Sequence, residues 1–137
     1  MMSMEPQTGH VKAWVGGMNY KHFQYDMVKQ GKRQIGSTFK PFVYATAINQ
    51  LRLSPCYELP NTPYTIPKGK YHLDEDWTPR NAGGEEKAYG GMKTLKNALA
   101  NSINVITAQL IDKTTPQNVV LLAKKLGIES MIFFSSY

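Results

Sequence analysis

Pro41 stands at the head of the most apolar run in this 137-residue chain, Phe42-Val43-Tyr44-Ala45-Thr46-Ala47-Ile48. Proline has no N–H to donate and its ring clashes with the preceding turn, so a helix through this run must start within one turn of Pro41. That places Ser37 and Lys40 in its first turn and predicts a helix over 37–51. The run is apolar on nearly every side, the pattern of a helix buried all round. Two residues three apart share a helix face. A serine hydroxyl becomes a nucleophile when a base takes its proton, and a lysine lowered by burial is such a base. The helix N-terminus adds N–H groups and partial positive charge for a developing oxyanion. The plain alternative is a capping Ser37 and a solvated Lys40, and the motif alone favours it.

The rest of the chain frames this helix. The segment 1–17 reads as a β-hairpin, with 1–5 and the alternating Val11, Ala13 and Val15 either side of a Gln7-Thr8-Gly9-His10 turn. Two strands alone are marginal and call for a wider sheet. The segment 54–92 is loop-rich, with Pro55, Pro60, Pro63, Pro67 and Pro79 among its residues. A loop of that length is usually functional or mobile. Helical patterning returns over 94–127. Leu95, Ala98, Leu99 and Ser102 share one predicted face, a second helix follows over 104–112, and Thr115-Pro116 starts a third. That last helix sets Val119, Leu122, Ala123 and Leu126 on one face and closes at Gly127.

Sixteen lysines and arginines against ten acidic residues give a net charge of +6. The basic residues are scattered and form no recognition helix, so no nucleic-acid partner is expected. The single cysteine, Cys56, excludes an internal disulfide, and no metal-ligand spacing accompanies it. No apolar run reaches membrane-spanning length and the start is not a signal peptide, so the chain is either cytoplasmic or part of something longer.

A second polar triplet, Ser102-Ile103-Asn104, follows at a helix end. A buried Ser102 hydroxyl needs a partner, which a buried lysine amine would supply, and Asn104 offers a donor and an acceptor to a peptide. Alone, this triplet is a satisfied core serine and a helix-capping asparagine. S-x-x-K followed by S-x-N is, however, the pairing found in penicillin-interacting serine enzymes. The flanking segments EPQTGHVKAWVGG, GKRQIGSTFKPFVYATAI, WTPRN and YGGMKTLKNALANSIN closely resemble, in order, the transpeptidase domain of class A (bifunctional) penicillin-binding proteins.

The resemblance implies an α+β fold: part of the penicillin-binding protein and serine β-lactamase-like transpeptidase fold, its amino-terminal hairpin and helical subdomain without the carboxy-terminal sheet strands. It implies that Ser37 is acylated, that Lys40 is its general base, that Ser102 relays protons to the leaving amine, and that Asn104 holds the substrate. The implied substrates are peptidoglycan stem peptides, with β-lactams as inhibitors and no cofactor or metal. The implied location is extracytoplasmic, attached to the inner membrane through a longer parent. The family's third motif, lysine then serine or threonine then glycine, is absent; Lys93-Thr94-Leu95 is the nearest approach. The expectation is therefore a truncated transpeptidase that does not turn over as an isolated chain. A serine β-lactamase is the enzyme alternative, though Ile103 stands where class A lactamases carry aspartate, and their deacylating glutamate has no clear counterpart, although Glu85 and Glu86 sit in the loop. A non-catalytic peptidoglycan- or partner-binding fragment is the other.

Overall fold

The structure, a computed structural model, describes residues 1–19, 21–22, 24–32, 34–82 and 89–128. Glu85, Glu86 and the apolar tail 131–137 lie outside the described residues. The chain separates into two compact units, Met1–Ile35 and Gly36–Tyr137. Among the described residues, no helix is long and apolar enough to cross a membrane.

The first unit is a hairpin with a loop. Strands β1 (Met2–Met4) and β2 (Val11–Trp14) pair antiparallel, Met2 opposite Trp14 and Ser3 opposite Ala13, with an irregularity before Met4. Gly9, at φ 73°, closes the turn by donating to the Glu5 carbonyl at 2.8 Å. Every strand residue is exposed, so the alternation of Val11, Ala13 and Val15 covers no core within the unit. Asp26 ties the following loop down. It accepts from Trp14 Nε1 at 2.8 Å and from the Val28 amide at 2.8 Å. Gly16 runs so close to it that a Cβ there would lie 2.5 Å from Asp26 Oδ1.

The second unit holds the core. The predicted helix 37–51 divides in two: Gly36–Phe39 is a 3₁₀ turn, and α1 runs over Lys40–Leu51 with Pro41 in its first turn. Proline fixes this start, since a helix beginning a turn earlier would need its missing N–H. Strand β3 (Glu58–Pro60) pairs antiparallel with β4 (Met92–Thr94), Leu59 opposite Lys93. The region read as loop therefore contains a small sheet, whose three-residue strands are too short for a visible alternation. Helices α2 (Leu95–Ala100), α3 (Asn104–Thr114) and α4 (Pro116–Lys125) follow. Phe39, Val43, Tyr44 and Ala47 pack with Leu59, Leu95, Val105, Ile106, Leu110 and Val119 in one cluster. α1 packs on α2, α3 and α4. It is not buried all round, because Ile48 is 41% exposed and Leu51 is also open.

The helix ends are satisfied largely by other segments. At α2, the Leu95 and Lys96 amides donate to the Tyr57 and Pro55 carbonyls at 2.9 and 3.0 Å. Thr94 Oγ1 caps the Asn97 amide at 3.1 Å. Thr94→Ala should cost about 1 kcal/mol, as for other lost N-caps, read as a lower urea midpoint with an unchanged slope. At α4, Thr115 occupies the cap position but makes no side-chain cap bond. Gly127, at φ 93°, ends that helix; its amide reaches the Lys124 carbonyl and the Ile128 amide reaches Ala123, the paired bonds of a Schellman motif. Leu126 is exposed, past the face made by Val119 and Ala123.

Candidate active site

Ser37 lies in the 3₁₀ turn and Lys40 opens α1. In 3₁₀ geometry residues three apart eclipse one another, which keeps the two on one side. Ser37 does not cap the helix: Phe39 holds the cap position and no side-chain cap bond forms. Ser37 is exposed, and among the described residues its hydroxyl makes no hydrogen bond. Lys40 is the opposite, with 7% of its surface exposed. Its solvated reading is therefore excluded. Burial pushes its amine below the ordinary lysine value.

The Lys40 amine is held by the second triplet. Nζ donates to the Ser102 carbonyl at 2.6 Å, to Ser102 Oγ at 2.8 Å and to Asn104 Oδ1 at 2.6 Å. The structure thus brings Lys40, Ser102 and Asn104 together, and makes no bond between Ser37 and Lys40.

Ser102 reaches this position by a route that helical periodicity does not predict. α2 stops at Ala100, so Ser102 does not continue the face of Leu95 and Ala98, and Leu99 is itself exposed. Instead, Ser102 sits at φ 53°, in the left-handed region. Its amide donates to the Leu99 carbonyl at 3.1 Å, and the Ile103 amide donates to Ala98 at 2.9 Å. These are again the paired bonds of a Schellman motif, with Ser102 in the place glycine usually takes. A side chain there costs about 1–2 kcal/mol. The conformation aims both the hydroxyl and the carbonyl of Ser102 at one amine, and strain of this kind gathers at functional sites.

Asn104 is the first residue of α3, not its cap. The cap position belongs to Ile103, whose side chain has no oxygen. Asn81, from the WTPRN segment, substitutes for it: its Oδ1 accepts from the Asn104 amide at 2.9 Å and from the Val105 amide at 3.2 Å. The neighbouring Arg80 carbonyl accepts from Asn104 Nδ2 at 2.7 Å. Asn81 Nδ2 donates to Asn61 Oδ1 at 2.9 Å. Sequence reasoning passed over Asn81 and Asn61; the one available signal was that S-I-N offers α3 no cap of its own.

A second cluster secures the 61–82 loop to the far end of α3. Asp112 Oδ2 accepts from Tyr64 Oη at 2.5 Å, and Asp112 Oδ1 pairs with Lys70 Nζ at 2.5 Å. Tyr71 Oη donates to the Asp112 carbonyl at 3.0 Å. The loop is thus bonded to α3 at both ends, through Arg80 and Asn81 at one and Tyr64, Lys70 and Tyr71 at the other. Among the described residues, no group of three His, Cys, Asp or Glu side chains could hold a metal ion.

Comparison with known proteins shows the family and the fold. Residues 1–135 match the penicillin binding protein transpeptidase domain. The chain is 35% identical over 133 residues to penicillin-binding protein 1A of Aquifex aeolicus, covering 96% of this chain and 17% of that protein. It is 34% identical over 111 residues to penicillin-binding protein 1A of Neisseria lactamica, covering 81% of this chain and 13% of that protein. The crystal structure of penicillin-binding protein 1A from Haemophilus influenzae superposes with a TM-score of 0.76 at 27% identity, over 87% of this chain and 17% of that one. The chain therefore spans less than a fifth of the length of these relatives.

Proposed function

The chain belongs to the penicillin-binding protein transpeptidase family, and on that premise we propose that it carries the acylation half of a peptidoglycan D,D-transpeptidase site. Ser37 Oγ attacks the carbonyl carbon of a D-Ala–D-Ala bond in a stem peptide. Its proton passes to neutral Lys40 Nζ, the C–N bond breaks, and the Ser102 hydroxyl passes its proton to the departing amine while Lys40 returns one to Ser102. Asn104 holds the substrate's peptide group. In the complete reaction an amine of a neighbouring strand then takes the acyl group and frees Ser37. A β-lactam follows the first steps only, since its leaving nitrogen stays tethered and the acyl-enzyme persists. The proposed setting is extracytoplasmic, attached to the inner membrane through a longer parent, with stem peptides as the partner.

One observation carries this reading: a nearly buried lysine amine is bonded to Ser102 and Asn104 and stands three residues from an exposed serine whose hydroxyl makes no hydrogen bond among the described residues. A surface lysine beside a capping serine would look quite different. The proposal covers the acylation steps alone, the ones assigned to Ser37, Lys40, Ser102 and Asn104.

The test is the intact mass of the chain after incubation with benzylpenicillin, followed by proteolytic mapping. The expected result is a gain of one whole penicillin, located on Ser37 and held long after excess drug is removed. No adduct, or one located elsewhere, overturns the assignment. An adduct cleared as fast as it forms would instead mark a β-lactamase.

A further inference from the structure

The Lys40 amine has three oxygen partners: the Ser102 carbonyl, Ser102 Oγ and Asn104 Oδ1. An ammonium has three N–H donors, so the protonated form is fully satisfied. A neutral amine has two N–H groups and a lone pair, and one of the three partners must then become a donor. The Ser102 carbonyl can never donate. A carboxamide can, by turning over to present its nitrogen, and Asn104 would then compete for the lone pair. Two bonds oppose that turn. Asn104 Nδ2 donates to the Arg80 carbonyl at 2.7 Å, a partner that cannot donate back, and the Asn104 amide is held by Asn81 Oδ1 at 2.9 Å. Asn81 is itself oriented, because its Nδ2 donates to Asn61 Oδ1 at 2.9 Å. Asn61 is 4% exposed, and its backbone bonds to both Gly90 and Gly91.

We infer that Asn81 is a positioning residue: together with the Arg80 carbonyl it locks the Asn104 carboxamide with its oxygen toward Lys40. Of the three partners, the Ser102 hydroxyl is then the only one able to donate to the neutral amine. The inference deepens the acyl-enzyme reading and rests on it for the meaning of the lock, but the lock itself is a property of the unreacted chain. Asn81 touches neither reacting atom and acts through Asn104.

The test compares wild type, Asn81→Ala and Asn81→Asp in the full chain. The first readout is the side-chain NH₂ pair of Asn104 by nitrogen-15 NMR, assigned by its loss in Asn104→Ala. In Asn81→Ala the pair should move toward free asparagine and exchange with solvent about tenfold faster, the scale of one lost hydrogen bond. Penicillin acylation should slow by about 10–100-fold, as for other small misplacements of a reacting group. Asn81→Asp keeps an acceptor for the Asn104 and Val105 amides, so both readouts should return toward wild type. A folded Asn81→Ala whose thermal midpoint drops while the Asn104 pair and acylation stay put would make Asn81 merely structural and overturn the inference. So would an Asn81→Asp that fails as Asn81→Ala does. If Asn81→Ala does not fold, Asn61→Ala and Asn81→Gln decide. Asn61→Ala removes the bond that Asn81 Nδ2 donates, and Asn81→Gln moves the acceptor oxygen by one methylene; an Asn104 pair unmoved in both overturns the lock. The NMR readout needs no reaction, so a wild type that takes up no penicillin counts against the acyl-enzyme reading and leaves the lock to be judged by the amide pair.

Discussion

Lys40→Met should slow penicillin acylation of Ser37 by about 10²–10⁴-fold, the usual worth of a positioned general base. Methionine is a fair replacement for the stem: unbranched, apolar and suited to a nearly buried site. What it removes is the proton acceptor. Ser37→Ala, with no nucleophile, sets the floor against which the residual rate is read. The pH dependence separates a lost base from a disturbed fold. Burial holds the Lys40 amine below 10.5, so wild-type acylation should rise with pH and level off at a midpoint under that value. The methionine variant should lose this limb. Linkage has the matching sign. A depressed lysine pKa means that the folded state gives up its proton first, so burying Lys40 costs stability at neutral pH, and the cost is relieved as pH rises from the folded pKa toward 10.5. Lys40→Met should therefore keep or raise the thermal midpoint near neutrality. An acylation rate within twofold of wild type would end the assignment of Lys40 as the base.

Asp112→Ala should destabilise the second unit by about 1–3 kcal/mol, the range for charge-assisted hydrogen bonds discounted for a partly solvated partner. Asp112 receives the Tyr64 hydroxyl and the Lys70 ammonium, while Tyr71 bonds to its carbonyl. These bonds hold a segment that is otherwise costly. Tyr71 and His72 are consecutive non-glycine residues in the left-handed region, at φ 54° and 64°. Burial pushes the Asp112 carboxyl up, but Lys70, Tyr64 and Tyr71 together outweigh it and hold it below its ordinary value. Its stabilisation is thus present above about pH 4, the unperturbed carboxyl range, and is lost as pH falls through the lower folded value. Tyr64 works at the other end. The bond to Asp112, with burial and the nearby carboxylate charge, pushes its phenol up to about 12. Its contribution is complete below pH 10, the unfolded value, and is lost as pH rises through 12. Asp112→Asn should bring the Tyr64 phenol back toward 10, read by phenolate absorbance. An Asp112→Ala chain as stable as wild type, with an unchanged tyrosine titration, would show that the loop holds its conformation without this anchor.

The features legible in the sequence are those governed by neighbours along the chain. Pro41 restricts where α1 can begin. Pro116 and Gly127 bracket α4, and the apolar spacing of Val119 and Ala123 marks its inner face. The motifs S-x-x-K and S-x-N, with their flanks, carry the family. Helical spacing misleads where it runs past a local break. The spacing puts Ser102 on the face of Leu95 and Ala98, yet α2 ends at Ala100 and a left-handed residue turns the chain. The run 42–48 reads as buried because it is apolar on nearly every side, yet the described elements of its unit leave Ile48 open.

By itself, the sequence determined which polar groups this protein can bring to a site, because a serine hydroxyl, a lysine amine and a carboxamide stand in two short motifs. Tertiary structure decided how those groups meet. The Lys40 amine is bonded to residues 62 and 64 positions away. The cap of α3 comes from Asn81, and the anchor for Lys70 and Tyr64 is Asp112, on that same helix. Such pairings have no period along the chain. They arise because a buried amine, an uncapped helix end and a partly buried carboxylate each need polar partners, and only the folded chain brings those partners within hydrogen-bond reach.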